Sequence, residues 1–126
     1  MNIHHRIVAV LHILFGIIAL ALVALVYVGV DFAFGIAPID DGVRELVMSI
    51  LGVIAVPVVA ICAGEVLAGL LYFSGRLGAR AWLIAFGVLQ LLNVPFGTVL
   101  GIYTLWVLLA LPPLDSPGPP ATGAST

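Results

Sequence analysis

The sequence predicts an all-α protein: a four-helix transmembrane bundle with both termini cytoplasmic and a disordered, proline-rich C-terminal tail. Three observations predict it. The chain has 126 residues, 63% hydrophobic and only 8% charged, whereas a soluble domain carries roughly 25% charged residues. So few charges cannot cover a soluble globule, so lipid is the implied solvent. Long apolar runs alternate with short polar breaks, and the length suits one domain in which four crossings of ~20 residues take up most of the chain. The tail beyond residue 111 loses every apolar pattern.

In order, Met1 to Arg6 is a short polar start. Ile7 to Val30 then runs 24 residues without a formal charge, interrupted only by His12. Ala19-Leu20-Ala21 resembles a signal-peptidase site, but a signal sequence's apolar stretch ends after roughly 7–15 residues. This one continues to Val30, so it reads as an uncleaved first helix (7–30). Asp31 to Glu45 reads as an acidic loop, with Asp40 or Asp41 as N-cap of the next helix and Glu45 in its first turn, where the helix dipole favours an acid.

The second helix (44–73) is long for a ~30 Å hydrocarbon core. A kink at Pro57 together with a last turn in the headgroups absorbs the excess. Ser74 to Arg80 is a polar turn. The third helix (79–94) opens with Trp82 at interfacial depth, and the fourth (97–111) follows a break at Pro95-Phe96-Gly97. Residues 1–111 thus form the membrane domain. Residues 112–126, with Pro112, Pro113, Pro117, Pro119 and Pro120, form the tail, whose composition predicts disorder.

The cations are Arg6, Arg44, Arg76 and Arg80, and there is no lysine. Arg6 flanks the first helix, while Arg76 and Arg80 lie in the second loop; the positive-inside rule places both segments in the cytoplasm. The acidic loop and the Asn93–Gly97 tip then face outward, in a multi-pass membrane protein. A net charge of −2 argues against nucleic acid as a partner. Cys62 is alone in an apolar run and reads as an inert buried thiol.

Polar groups within the apolar segments are the handle on function. Ala9, His12, Gly16, Ala19 and Val23 share one face of the first helix; Ala55, Val58, Cys62, Glu65, Gly69 and Tyr72 share one face of the second. Both stripes are rich in small residues, which let helices approach closely in lipid, and each carries one ionisable group. Gly64 widens the second stripe. His12 lies six residues past Arg6 and Glu65 eight before Phe73, about 9 and 12 Å from the same side. We therefore expect His12 and Glu65 to face each other, as a structural clamp or as a proton or cation relay.

Gln90 and Asn93 share a face of the third helix. With Thr98 they form a polar hairpin tip in which the Asn93 amide satisfies backbone groups freed by the Pro95 break. Gly97 and Gly101 read as a close helix contact, and Tyr103 and Trp106 as packing residues. His4 and His5 lack the converging partners a metal site needs. The residues supply no catalytic constellation, metal site or cofactor site.

Gly64-Glu65-Val66-Leu67-Ala68-Gly69, Arg80-Ala81-Trp82-Leu83, and the ending Asn93-Val94-Pro95-Phe96-Gly97-Thr98…Gly101-Ile102-Tyr103…Trp106 together resemble a group of small uncharacterised bacterial four-helix inner-membrane proteins. Members carry a Trp-Ala-Arg-like start to the third helix and a Pro-x-Gly-Thr…Gly-Ile-Tyr…Trp ending. Here the third helix starts Ala79-Arg80-Ala81-Trp82, and Glu65 replaces an uncharged residue. The resemblance covers the C-terminal half and implies topology, with no activity attached.

The expectation is a non-enzymatic accessory or interaction subunit whose partners are the bilayer and either further copies or a larger membrane complex. The alternative is a proton or small-solute transporter or channel component using Glu65 and His12. A weaker one is a lipid- or quinone-binding protein using Tyr72, Tyr103 and Trp106.

Overall fold

The computed structural model describes residues 2–76 and 78–112. The predicted disorder of the tail concerns residues that, apart from Pro112, lie outside this range. Four helices, and no strand among the described residues, make up the fold: α1 (Ile3–Ile36), α2 (Asp41–Phe73), α3 (Ala79–Gln90) and α4 (Phe96–Ala110). Each packs on its neighbours in the order α1, α2, α3, α4 and back to α1, an antiparallel ring. Two of the four, α1 and α2, are long and apolar enough to cross a membrane.

Several helix ends differ from expectation. α1 has 34 residues and α2 has 33, about 51 and 50 Å long. The acidic loop shrinks to residues 37–40, because a charge on a helix surface does not end a helix. Asp31 stays helical, and its Oδ1 accepts from Arg44 Nη2 at 2.8 Å across the hairpin. Asp40 caps α2, its Oδ1 accepting from the Gly42 N–H at 2.9 Å. Pro57 lies inside α2 without interrupting it.

α3 has 12 residues and α4 has 15, about 18 and 22 Å. α3 stops at Gln90, four residues earlier than expected, and Leu91–Pro95 forms the turn into α4. The molecule therefore has two halves. At the end holding the N-terminus all four helices pack, and the core of Val8, Ala9, Ala68, Tyr72, Ala79, Leu83, Val107 and Leu108 lies entirely there. Beyond the α3–α4 turn only the α1–α2 hairpin continues, and its side chains are mostly exposed.

Glycines set the close approaches of the packed half. A Cβ on Gly16 would stand 3.0 Å from the Cys62 carbonyl oxygen, and one on Gly69 would stand 3.0 Å from that of Ala9. These two contacts flank His12 and Glu65 along the α1–α2 seam. Between α3 and α4, a Cβ on Gly101 would lie 2.5 Å from the Gly87 carbonyl oxygen. Alanine cannot fit there without the helices moving apart.

Candidate functional site

The two close-packed seams bring four polar side chains together, one from each helix. His12 of α1 and Glu65 of α2 sit one helical step from Gly16 and Gly69, so the seam that those glycines close aims both side chains into the bundle. His12 Nδ1 and Glu65 Oε1 are 2.8 Å apart. Gln90, in the last turn of α3, donates from Nε2 to the same Glu65 oxygen at 2.6 Å. Thr104 of α4 places its Oγ1 2.9 Å from His12 Nε2. Its methyl group faces Gly87, so the glycine seam between α3 and α4 holds the threonine in register.

The cluster is sealed. His12 and Thr104 are 0% exposed, Glu65 2% and Gln90 7%. A charge removed from water to this degree costs several kcal/mol unless paired, so burial favours a cluster of zero net charge. An imidazolium beside a carboxylate and a neutral imidazole beside a carboxylic acid both meet that condition, and the tautomer decides whether His12 Nε2 donates to Thr104 Oγ1 or accepts from it. The arrangement can hold a proton and can shift it over one hydrogen bond.

A second polar layer lies one heptad towards the N-terminal end, on the same faces of α1 and α2. The Tyr72 hydroxyl and His5 Nδ1 are 2.5 Å apart and buried, and the Tyr103 hydroxyl lies 3.2 Å from His4 Nδ1. Arg80 donates to the Leu108 carbonyl oxygen, joining the start of α3 to the end of α4. The two adjacent histidines thus go to different helices.

Of the residues singled out from sequence, His12 and Glu65 meet, and Gln90 joins them rather than the hairpin tip. Asn93 is exposed, and its side chain takes no part in the cluster's hydrogen bonds. The role expected of its amide falls to Thr98, whose hydroxyl donates to the Leu91 carbonyl oxygen at 3.1 Å and whose N–H bonds the Asn93 carbonyl oxygen. Gly97 and Gly101 both press on α3 backbone, and Gly64 faces the Phe86 ring. Trp106, expected to pack, is half exposed, with its ring edge-on to His4. Sequence reasoning missed Thr104 as a partner of His12, although its spacing from Gly97 and Gly101 put it on the inward face. It also missed the His5–Tyr72 pair, which the seven-residue offset from His12 and Glu65 signals.

No family model matches the chain, and no curated protein or solved structure matches it.

Proposed function

We propose that the chain is a multi-pass inner-membrane protein acting as a non-enzymatic accessory or interaction subunit, and that His12, Glu65, Gln90 and Thr104 are its structural clamp. The observation that carries this reading is the closure of the cluster: every helix contributes one side chain, and the bonds run between them. Such a cluster ties the short α3 and α4 to α1 and α2 at one end, as the apolar core with Ala79, Leu83, Val107 and Leu108 does at the other. The clefts flanking the cluster also have apolar walls: one runs from Leu11 to Ile18 against Phe96 to Tyr103, the other lies around Gly64, Leu67 and Phe86. Water has few partners there.

In the orientation favoured by Arg6, Arg76 and Arg80 the termini are cytoplasmic. Arg6 and Asp31 are 25 residues apart on α1, about 38 Å, which leaves room for a ~30 Å hydrocarbon core between them. Purification from native membranes in mild detergent tests the role: the subunit reading expects a discrete stoichiometric complex, and recovery of the chain alone overturns it.

The ionisable pair favours a second reading, a proton or cation conductor. Proteoliposomes distinguish the two. Flux that depends on pH and disappears in Glu65→Gln selects the conductor, whereas flux equal to that of empty vesicles selects the clamp.

A further inference from the structure

The charges of the molecule are sorted by end. α1 leaves from the end to which α2 returns and at which α3 starts, and that end carries Arg6, Arg76 and Arg80. Among the described residues it holds no aspartate or glutamate. Glu65, eight residues before Phe73 on α2, is buried and engaged by His12 and Gln90. The opposite end carries Asp31, Asp40, Asp41 and Glu45 with one cation, Arg44, which pairs with Asp31 at 2.8 Å. Neither ion pair found among the described residues involves Arg6, Arg76 or Arg80.

Arg80 is fixed in place without an acid. It is half-buried, and it donates from Nη2 to the Leu108 carbonyl oxygen in the last turn of α4, the negative end of that helix's dipole. The bond uses one of the five N–H donors of the guanidinium and holds the charge within electrostatic reach of the buried His5–Tyr72 pair. Arg76 lies four residues earlier, exposed in the turn between α2 and α3. Cations gathered this way attract an anion from outside the chain. A guanidinium's planar fork suits the paired oxygens of a phosphate.

Beside that turn, a groove opens between α2 and α3. Gly64, Leu67, Ala68 and Leu71 form one wall, Trp82 and Phe86 the other, and the space is about 300 Å³. The Phe86 ring lies over Gly64, where a Cβ would stand 2.9 Å from its Cζ. From Leu71 to Gly64 the groove follows seven residues of α2, about 10 Å. Its mouth, at Leu71 and Trp82, adjoins the polar turn that carries Arg76. Apolar walls under a cationic rim match an amphiphile with a negative head.

We propose that this end of the bundle binds an anionic phospholipid, its phosphate against the Arg76–Arg80 turn and one acyl chain in the groove between α2 and α3. The inference rests on the membrane reading above, which puts the turn at headgroup level. Charge complementarity selects the lipid. A zwitterionic headgroup brings its own cation and leaves the arginines uncompensated, whereas an anionic one supplies the missing charge. A basic residue near an anionic membrane surface changes binding about fivefold.

The full chain, purified in non-ionic detergent, is titrated with phosphatidylglycerol or with phosphatidylcholine of the same acyl chains, and the thermal unfolding midpoint is followed. Phosphatidylglycerol should raise the midpoint at concentrations where phosphatidylcholine does not, because a ligand of the folded state stabilises it by mass action. Arg76→Gln, at an exposed position, should raise the half-saturating concentration about fivefold. Arg80→Gln should do at least as much, and Arg44→Gln, at the acid-rich end, should leave it unchanged. Equal responses to the two lipids, or an unchanged half-saturation in both Arg76→Gln and Arg80→Gln, overturn the site. A matching shift from inorganic phosphate overturns the lipid as its occupant. Each of these leaves the membrane reading standing, whereas release of the chain from native membranes by carbonate washing overturns both.

Discussion

The packed half and the hairpin half are equally apolar in sequence and differ in what their small and polar residues do. In the packed half, Gly16, Gly69 and Gly101 each stand where a Cβ would meet another helix's backbone, and four polar side chains share a sealed network. In the hairpin half, Gly29, Gly35 and Gly52 have nothing within 4 Å of an added Cβ. Hydropathy alone therefore does not locate the structural core. The core lies where small residues and polar groups recur together at helical spacing; on the proposed membrane reading, lipid would solvate a leucine as well as a neighbouring helix does, and close packing supplies the difference.

That contrast can be tested by substitution, read as thermal stability in detergent. Glu65→Ala should have the largest effect, since it removes the acceptor shared by His12 and Gln90 and leaves both buried. We expect a loss of about 3 kcal/mol, the lower end of the range for breaking a buried pair. Gly101→Ala should cost about 1–3 kcal/mol by forcing α3 and α4 apart, and Gly16→Ala should follow, because the Val66 methyl it meets can rotate away while the Cys62 carbonyl cannot. Tyr103→Phe, which breaks only the part-buried bond to His4, should cost about 1 kcal/mol or less. Gly52→Ala should be neutral or stabilising by about 0.5 kcal/mol, because alanine is the better helix former and meets no neighbour. If Gly52→Ala destabilises as much as Gly16→Ala, the hairpin half has a packing partner in detergent, and the division between the halves is wrong.

The sequence made the seam between α1 and α2 legible. Depth could be counted from Arg6 and Phe73, and face from the three-and-four spacing, and these two coordinates place His12 against Glu65. The same counting failed at Gln90 and Asn93, because the end of α3 was set by its local backbone and not by any loss of hydrophobicity. Leu91, Leu92 and Val94 remain apolar after the helix has stopped. Once α3 ends at Gln90, the Gln90 side chain points back along the helix towards Glu65, and Asn93 is carried out to the exposed turn. The end of α1 was missed for the opposite reason. Asp31 looked like a terminus, but the residue that accommodates it, Arg44, lies on the other helix, a tertiary pairing that no local pattern announces.

The depth of the turn emerged only from the fold. From composition, α3 and α4 looked like short crossings. Their level against Phe15 and Ile18, set by the glycine seams, makes them half-height elements beside a hairpin about 50 Å long. The exposed turn and the sealed cluster are consequences of one arrangement: two short helices held at a fixed height by a clamp near their upper ends.

The central claim is that this clamp joins the helices through the His12–Glu65 bond, and a double-mutant cycle measures it most directly. His12→Ala, Glu65→Ala and the double variant are compared in thermal stability in the same detergent. Each single variant should be destabilised and the double variant hardly worse than Glu65→Ala, a coupling of about 1–3 kcal/mol. Additive losses, or single variants as stable as the native chain, would contradict it.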